Sequence, residues 1–234
     1  MKESLILFSG GKDSFLAALL MLEKGYKVNL ITFDNGYELK CKNVLTGAKR
    51  IQKKYGVDKV EIIGIKKTDA IWRNLICDFY NYNTDYIKKY FGNITISQFN
   101  CLSCRLSMYI LSIIICKQKN IGLIVDGARK SQLFAIEQDK MIEEFKKLFK
   151  KFDLEICFPL LNEVDDYEIK NRILAYGFVP KMNEAQCLLG MPINNSMNDE
   201  ILGGCINVYK KELYPKLLEI IKKYENIEFD EEYI

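Results

Sequence analysis

At 234 residues the chain is long enough for one α/β domain with a sizeable core, and it is 49% hydrophobic, 28% charged and only +3 in net charge. That balance neither requires nor excludes a nucleic-acid partner, while the complete absence of histidine excludes a histidine-dependent triad or a histidine-rich zinc hydrolase. No apolar run of about 18 residues is evident, so no membrane span is expected, and the start Met-Lys-Glu-Ser, without a signal peptide, points to the cytoplasm.

In chain order, short apolar runs at 4–8, 27–33, 59–63, 122–126 and 154–159 read as strands. Helical spacing lies between them at 14–24, carried by Phe15, Leu16, Leu19, Leu20 and Leu22, and at 40–55, carried by Val44, Ala48 and Ile51. Strand and helix in alternation predict an α/β fold with a doubly wound parallel sheet of about five strands, covered on both faces. Ligands of such sheets sit outside the strand carboxyl ends.

The stretch 68–120 breaks this rhythm and reads as a helical insertion, with a polar loop at 91–100 and a helix from about 102 to 118. Its aromatic run at 78–90 (DFYNYNTDYIKKY) is a candidate pocket wall without a specific pattern. The amphipathic stretch 143–152 (EEFKKLFKKF) reads as a solvated helix face before an RNA grip. After residue 159 come a helix at 165–176 capped by Asp165 and Asp166, a loop at 177–198, an amphipathic helix at 208–224 and a loosely held acidic tail at 225–234. Without a repeat or a low-complexity linker, one domain is expected, with a core at 1–180 and a C-terminal cysteine loop and helix at 181–234.

The first strand runs directly into Ser9-Gly10-Gly11-Lys12-Asp13-Ser14 and then into a helix. Two adjacent glycines let a backbone close around an anion, because no Cβ blocks the approach. Amides at the start of the following helix and its dipole attract negative charge, the hydroxyls of Ser9 and Ser14 donate, and Lys12 neutralises. The spacing fits neither a Walker A loop nor a dinucleotide fingerprint.

The stretch resembles the Ser-Gly-Gly-x-Asp-Ser signature of the PP-loop ATP pyrophosphatase superfamily, whose fold is of the adenine nucleotide alpha hydrolase type and whose members cleave ATP to AMP and pyrophosphate. On that resemblance Ser9, Gly10, Gly11, Lys12, Asp13 and Ser14 bind the phosphates, and Mg2+ assists. Phe33-Asp34-Asn35-Gly36 ends the second strand as in relatives that hold adenine and ribose there, which implies Phe33 and Asp34 at the nucleotide. Asp126-Gly127-Ala128-Arg129 ends the fourth strand where relatives face the phosphates, which implies Gly127 at the nucleotide. Lys12, Asp13 and Arg129 are then the candidate catalytic residues, Arg129 as a stabiliser of phosphate or oxyanion charge. Asp126-Gly127-Ala128-Arg129-Lys130-Ser131-Gln132 stands where many thiolating members have a Gly-His-x-x-Asp-Asp-like sequence and departs from it.

Eight cysteines without an export signal argue against a disulfide framework. Cys101 and Cys104 have the spacing that lets two sulfurs meet one metal, at what reads as a helix start, where the dipole favours thiolate. With Cys187 they resemble the three-cysteine pattern of iron–sulfur tRNA sulfurtransferases, which implies a [4Fe-4S] cluster with one iron open to sulfide. Three alternatives remain: a four-thiolate Zn2+ site completed by Cys205, a Cys104–Cys187 persulfide pair, or plain packing, the ordinary fate of Cys41, Cys77, Cys116 and Cys157.

The resemblance implies a sulfurtransferase that adenylates a carbonyl or carboxylate oxygen and replaces it with sulfur from sulfide or a persulfide carrier. The acceptor is a tRNA or a small molecule, and a homodimer is compatible with the pattern. An ammonia-using amidotransferase with structural zinc, similar to the N-acetyl sugar amidotransferases, and a non-catalytic nucleotide-binding regulator are the competing readings.

Overall fold

The computed structural model describes the chain except at residues 40, 133, 164, 182–183, 189–196 and 225–234. The acidic tail, and part of the loop expected at 177–198, lie outside the described residues. β1 (Glu3–Leu7), α1 (Lys12–Glu23), β2 (Lys27–Asp34), the short β3 (Glu38–Leu39), α2 (Val44–Tyr55) and β4 (Val60–Lys67) come first. Then come α3 (Asp69–Ile76), α4 (Thr84–Phe91), α5 (Ile96–Lys119) and β5 (Leu123–Val125). α6 (Asp139–Lys150), β6 (Glu155–Cys157), α7 (Asp166–Ala175), β7 (Gln186–Cys187), α8 (Asp199–Val208) and α9 (Tyr214–Tyr224) complete the order.

Five strands form one parallel sheet in the order β4-β2-β1-β5-β6. The chain moves outward from β1 through β2 to β4, then returns to β5 on the other side of β1. That reversal leaves a crevice at the carboxyl ends of β1 and β5, the usual place for a ligand in a doubly wound sheet. The two-residue period of a strand builds both faces: Leu5 and Leu7 enter one hydrophobic layer, Ile6 and Phe8 the other. The first layer lies under α3, α5, α6, α8 and α9, and the second under α1, α2 and α7.

Two helix boundaries differ from expectation because polar caps act before the apolar pattern begins. Thr95 accepts a hydrogen bond from the Gln98 amide at 3.2 Å, so α5 starts at Ile96 rather than near residue 102. Asn198 likewise accepts from the Ile201 amide at 2.8 Å and starts α8. A π-helical turn, Tyr209–Leu213, joins α8 to α9, so the helix read at 208–224 is the second part of a longer element. α5 also corrects the expectation of no long apolar run. With a mean hydropathy of 1.7 it is long and apolar enough to cross a membrane, yet 78% of that window is buried in the molecule, as befits a core helix.

The aromatic run at 78–90 packs on itself. Phe79 stacks on Phe99 with ring centroids 3.7 Å apart, and Tyr86 on Tyr90 at 4.3 Å, so it is a satellite of the core and lines no part of the cavity described below. α6 buries Met141, Ile142, Phe145, Leu148 and Phe149 and pairs Lys146 with Glu143 and Lys147 with Glu144 on its wet face. An unforeseen antiparallel pair, β3 with β7, sets Cys187 opposite Glu38, and the Leu188 amide donates to the Tyr37 carbonyl at 3.0 Å. Through it the segment carrying Cys187 is fixed beside the end of β2.

Candidate active site

The turn after β1 is held by its own hydroxyls. Ser9 Oγ and Ser14 Oγ lie 3.1 Å apart, the Gly11 amide donates to Ser9 Oγ at 3.3 Å, and Ser14 Oγ donates to the Gly11 carbonyl at 3.2 Å. Gly10 has φ +76°, a left-handed conformation that favours glycine. Gly11 is the N-cap of α1 and supplies no side-chain cap, so first-turn amides of that helix are not consumed locally. A Cβ on Gly11 would stand 2.7–2.8 Å from the carboxylate atoms of Glu184, whose Oε1 accepts from Ser9 Oγ at 3.4 Å. A carboxylate thus already rests against the turn. Burial and the neighbouring Asp13 raise its pKa.

Two ion pairs tie the turn to other elements. Arg129, 4% exposed, places Nε 3.1 Å from Asp13 and Nη2 2.8 Å from Asp166. Asp166 also meets Lys12 at 3.3 Å. Burial raises the Asp13 carboxyl against the pull of Arg129 and Lys12, whereas on the more open Asp166 the same two cations outweigh burial and lower it. Arg129 Nη1 is buried with no hydrogen-bond partner among the described residues. Asp165 caps α7, accepting from the Tyr167 amide at 2.7 Å, but Asp166 turns to the cations, a role the sequence reading did not assign. Gly127 permits the close approach of this loop: its Cβ would meet Ser14 N at 2.9 Å and the Asp13 carbonyl carbon at 3.0 Å, main-chain atoms that cannot yield.

A cavity of about 260 Å³ opens at the carboxyl ends of β1 and β2. Ser9, Asp13, Ser14, Phe33, Gly127 and Cys187 line it among the expected residues. Lys12 points to Asp166, Arg129 lies behind Asp13, and Asp34 closes its own turn by accepting from the Gly36 amide at 2.8 Å. Four charged lining residues were not among the expected site residues: Arg105, Asp126, which the motif after β5 contains without a role assigned to it, Glu137 and Glu184. Arg105 Nη1 donates to Asp126 Oδ2 at 2.6 Å, Tyr109 Oη donates to the same oxygen at 2.7 Å, and the Ala128 amide donates to Oδ1 at 3.0 Å. Arg105 follows Cys104 directly, and Asp126 opens the motif after β5, so adjacency to motif residues was the available signal.

The cysteines divide into two sets. Cys101 and Cys104 sit well inside α5, not at its start, and burial pushes the Cys101 thiol up to about 12 with the neighbouring Cys104 and Cys187 adding to it. The expected help from the helix dipole is therefore overridden by desolvation. Asn35 Nδ2 lies 3.2 Å from Cys104 Sγ, which joins the turn after β2 to this sulfur. Among the described residues no three Cys, Asp or Glu side chains are gathered closely enough to hold a metal ion. The donor set nonetheless suits a thiophilic metal in kind, because Cys104 and Cys187 lie near enough to Cys101 to disfavour ionisation of its thiol. Cys205 is different: fully buried in the α8 core, its thiol is raised to about 12 by burial alone, so a four-thiolate set with Cys205 is not assembled. Cys116 is core packing as expected, but Cys77 is exposed.

Residues 1–84 match the model of a family of unknown function (DUF7411). A probable tRNA sulfurtransferase of Sulfurisphaera tokodaii is 26% identical over 184 residues, covering 74% of this chain and 44% of the relative. Among solved structures, a 4-thiouridine synthetase in an RNA complex with bound ATP aligns over 97% of this chain and 54% of its own, with a TM-score of 0.66 at 14% identity. NMN synthetase from Francisella tularensis aligns over 100% of this chain and 87% of its own, with a TM-score of 0.51 at 12% identity. The chain thus spans about half the length of the two sulfur- and uridine-related proteins it matches.

Proposed function

Proceeding from the PP-loop ATP pyrophosphatase fold that this chain has, we propose that it is an AMP- and pyrophosphate-forming sulfurtransferase acting on a carbonyl oxygen of a tRNA base. The observation that carries the reading is one cavity lined both by the phosphate-loop residues Ser9, Asp13 and Ser14 and by Cys187, whose neighbours include Cys101. Phosphates would rest on the Ser9–Ser14 turn, with the charge of Arg129 behind it, held by Asp13. Arg129 and Lys12 would spread charge as the acceptor oxygen attacks the α-phosphorus and pyrophosphate leaves, while Asp13 orients Arg129 or Mg2+. Cys101, Cys104 and Cys187 would hold the [4Fe-4S] cluster, which when bound supplies an open iron for the sulfide that replaces the adenylated oxygen. The relative from Sulfurisphaera tokodaii supports sulfur as the nucleophile.

The test is pyrophosphate release from Mg-ATP with unmodified tRNA transcripts and sulfide, together with iron and sulfide analysis of anaerobically purified protein. About four irons per chain, lost in Cys101→Ala, Cys104→Ala and Cys187→Ala and kept in Cys205→Ala, is the expected result. Iron-free wild type with intact ATP cleavage would move the chemistry to a cysteine persulfide or to ammonia.

Glu184 provides a separate check on where the phosphates sit. Its carboxylate rests on the Gly11 cradle, so ATP must displace it. Glu184→Gln is expected to bind Mg-ATP about tenfold more tightly, a gain of about 1.4 kcal/mol, by calorimetry. Weaker binding in Glu184→Gln would instead make Glu184 a ligand of the nucleotide-bound Mg2+.

A further inference from the structure

Four acidic side chains line the cavity with Arg105, and three of them meet a side-chain donor: Asp13 meets Arg129, Asp126 meets Arg105 and Glu184 meets Ser9. Asp126 takes three donors, from Arg105, Tyr109 and the Ala128 amide, and is thereby fixed as a structural acceptor. Glu137, 2% exposed, lines the same cavity, and among the described residues its Oε2 accepts one hydrogen bond, from the Phe134 amide at 3.4 Å. The short helical turn Ala135–Glu137 that carries it is anchored on α5, where the Ala135 amide donates to the buried Gln98 Oε1 at 2.8 Å. Glu137 is therefore held in place by its backbone, with its carboxylate on the cavity that Arg105 also lines.

An acceptor and a donor lining one cavity match a lactam, the H–N–C=O edge of a pyrimidine or purine, with Arg105 toward the oxygen and Glu137 toward the N–H. Resting on the sulfurtransferase reading above, we infer that Glu137 is the base that removes the lactam proton while Arg105 orients the carbonyl oxygen. The step balances. The N–H bond breaks and its proton goes to the Glu137 carboxylate. The electron pair moves through nitrogen and carbon, making C=N, so that oxygen forms a bond to the α-phosphorus. The bond from that phosphorus to the bridging oxygen breaks, and pyrophosphate leaves with its pair. Without proton removal the oxygen would have to attack as a neutral carbonyl, a poor nucleophile.

The groups facing Glu137 suit that task. Burial raises its pKa to about 7, Asp126 adding to the rise while Arg105 and Arg129 oppose it. From α5, Cys101 also feels Glu137, and Tyr109 stays neutral because burial and Asp126 hold its proton. A base whose pKa lies near the working pH is ionised when the acceptor arrives and basic enough to take the proton. Activity therefore rises as pH climbs through about 7 and levels off above it.

The experiment uses the full chain with Mg-ATP and, as separate acceptor probes, unmodified tRNA transcripts and free uridine, with pyrophosphate release followed across pH. Glu137→Gln is expected to lose about 100-fold or more in turnover with an ATP dissociation constant and melting temperature like wild type, and Glu137→Asp to recover part of the rate. A Glu137→Gln protein with wild-type turnover, or with the rising limb of the wild-type pH profile intact, overturns the inference. So does one that loses ATP binding and stability together, since that is a structural role. A wild-type protein that cleaves ATP with neither acceptor overturns the sulfurtransferase reading itself, a failure visible before any variant is made.

Discussion

Gly11→Asp is expected to abolish ATP binding in a protein that still folds. The backbone at Gly11 has φ −73° and ψ 165°, open to any residue, so the substitution carries no backbone strain. The new Cβ meets only the Glu184 carboxylate at 2.7–2.8 Å, the far end of a flexible side chain that can swing away. What the Asp side chain does is fill the cradle and set a further negative charge beside Asp13 and Glu184. Like charges about 4 Å apart near a protein surface repel by about 4 kcal/mol at most, and even part of that weakens Mg-ATP binding by more than about 100-fold. Calorimetric titration with Mg-ATP, paired with thermal unfolding, separates the two effects. Gly11→Ala, which displaces Glu184 without adding charge, should keep most of the affinity. Full ATP affinity in a folded Gly11→Asp protein would remove the phosphate-loop assignment.

Asp126→Ala is expected to lose about 3 kcal/mol of stability. Asp126 is 2% exposed and accepts from three donors, two of them side chains of α5. Its removal leaves the Tyr109 hydroxyl and the Arg105 guanidinium without their acceptor. Breaking one half of a buried pair costs about 3–5 kcal/mol, and the lower end applies because the Arg105 side chain keeps 23% exposure. Against a total of about 5–15 kcal/mol that is a large fraction, readable as a fall in the urea midpoint at constant slope. Asp126→Asn retains an acceptor and should cost less. An Asp126→Ala chain as stable as wild type would mean that Arg105 finds another carboxylate, for which the cavity lining offers Asp13, Glu137 and Glu184.

The glycine turn after β1 and the five parallel strands were legible in the sequence because both are local. A run of two glycines between an apolar strand and a helix states its own geometry, and the two-residue period of Leu5, Ile6, Leu7 and Phe8 assigns each side chain to a face before any partner is known. Arg129 was legible by position, as it follows the strand that pairs with β1. The caps at Thr95 and Asn198 were present in the sequence and under-read, because the apolar pattern became clear only after the helices had begun.

Only the tertiary structure decided the rest. It placed Glu184 over Gly11, Asp166 between Lys12 and Arg129, and Glu137 on one cavity with Arg105, pairs separated by long stretches of chain that share no periodicity. It also reversed the reading of Cys101, where burial outweighs any pull from the helix toward thiolate. Spacing along the chain encodes contacts within a turn or two. Contacts across the crevice depend on which strands adjoin, and that was settled when β5 paired with the free side of β1 and brought Asp126 and Arg129 to the glycine turn.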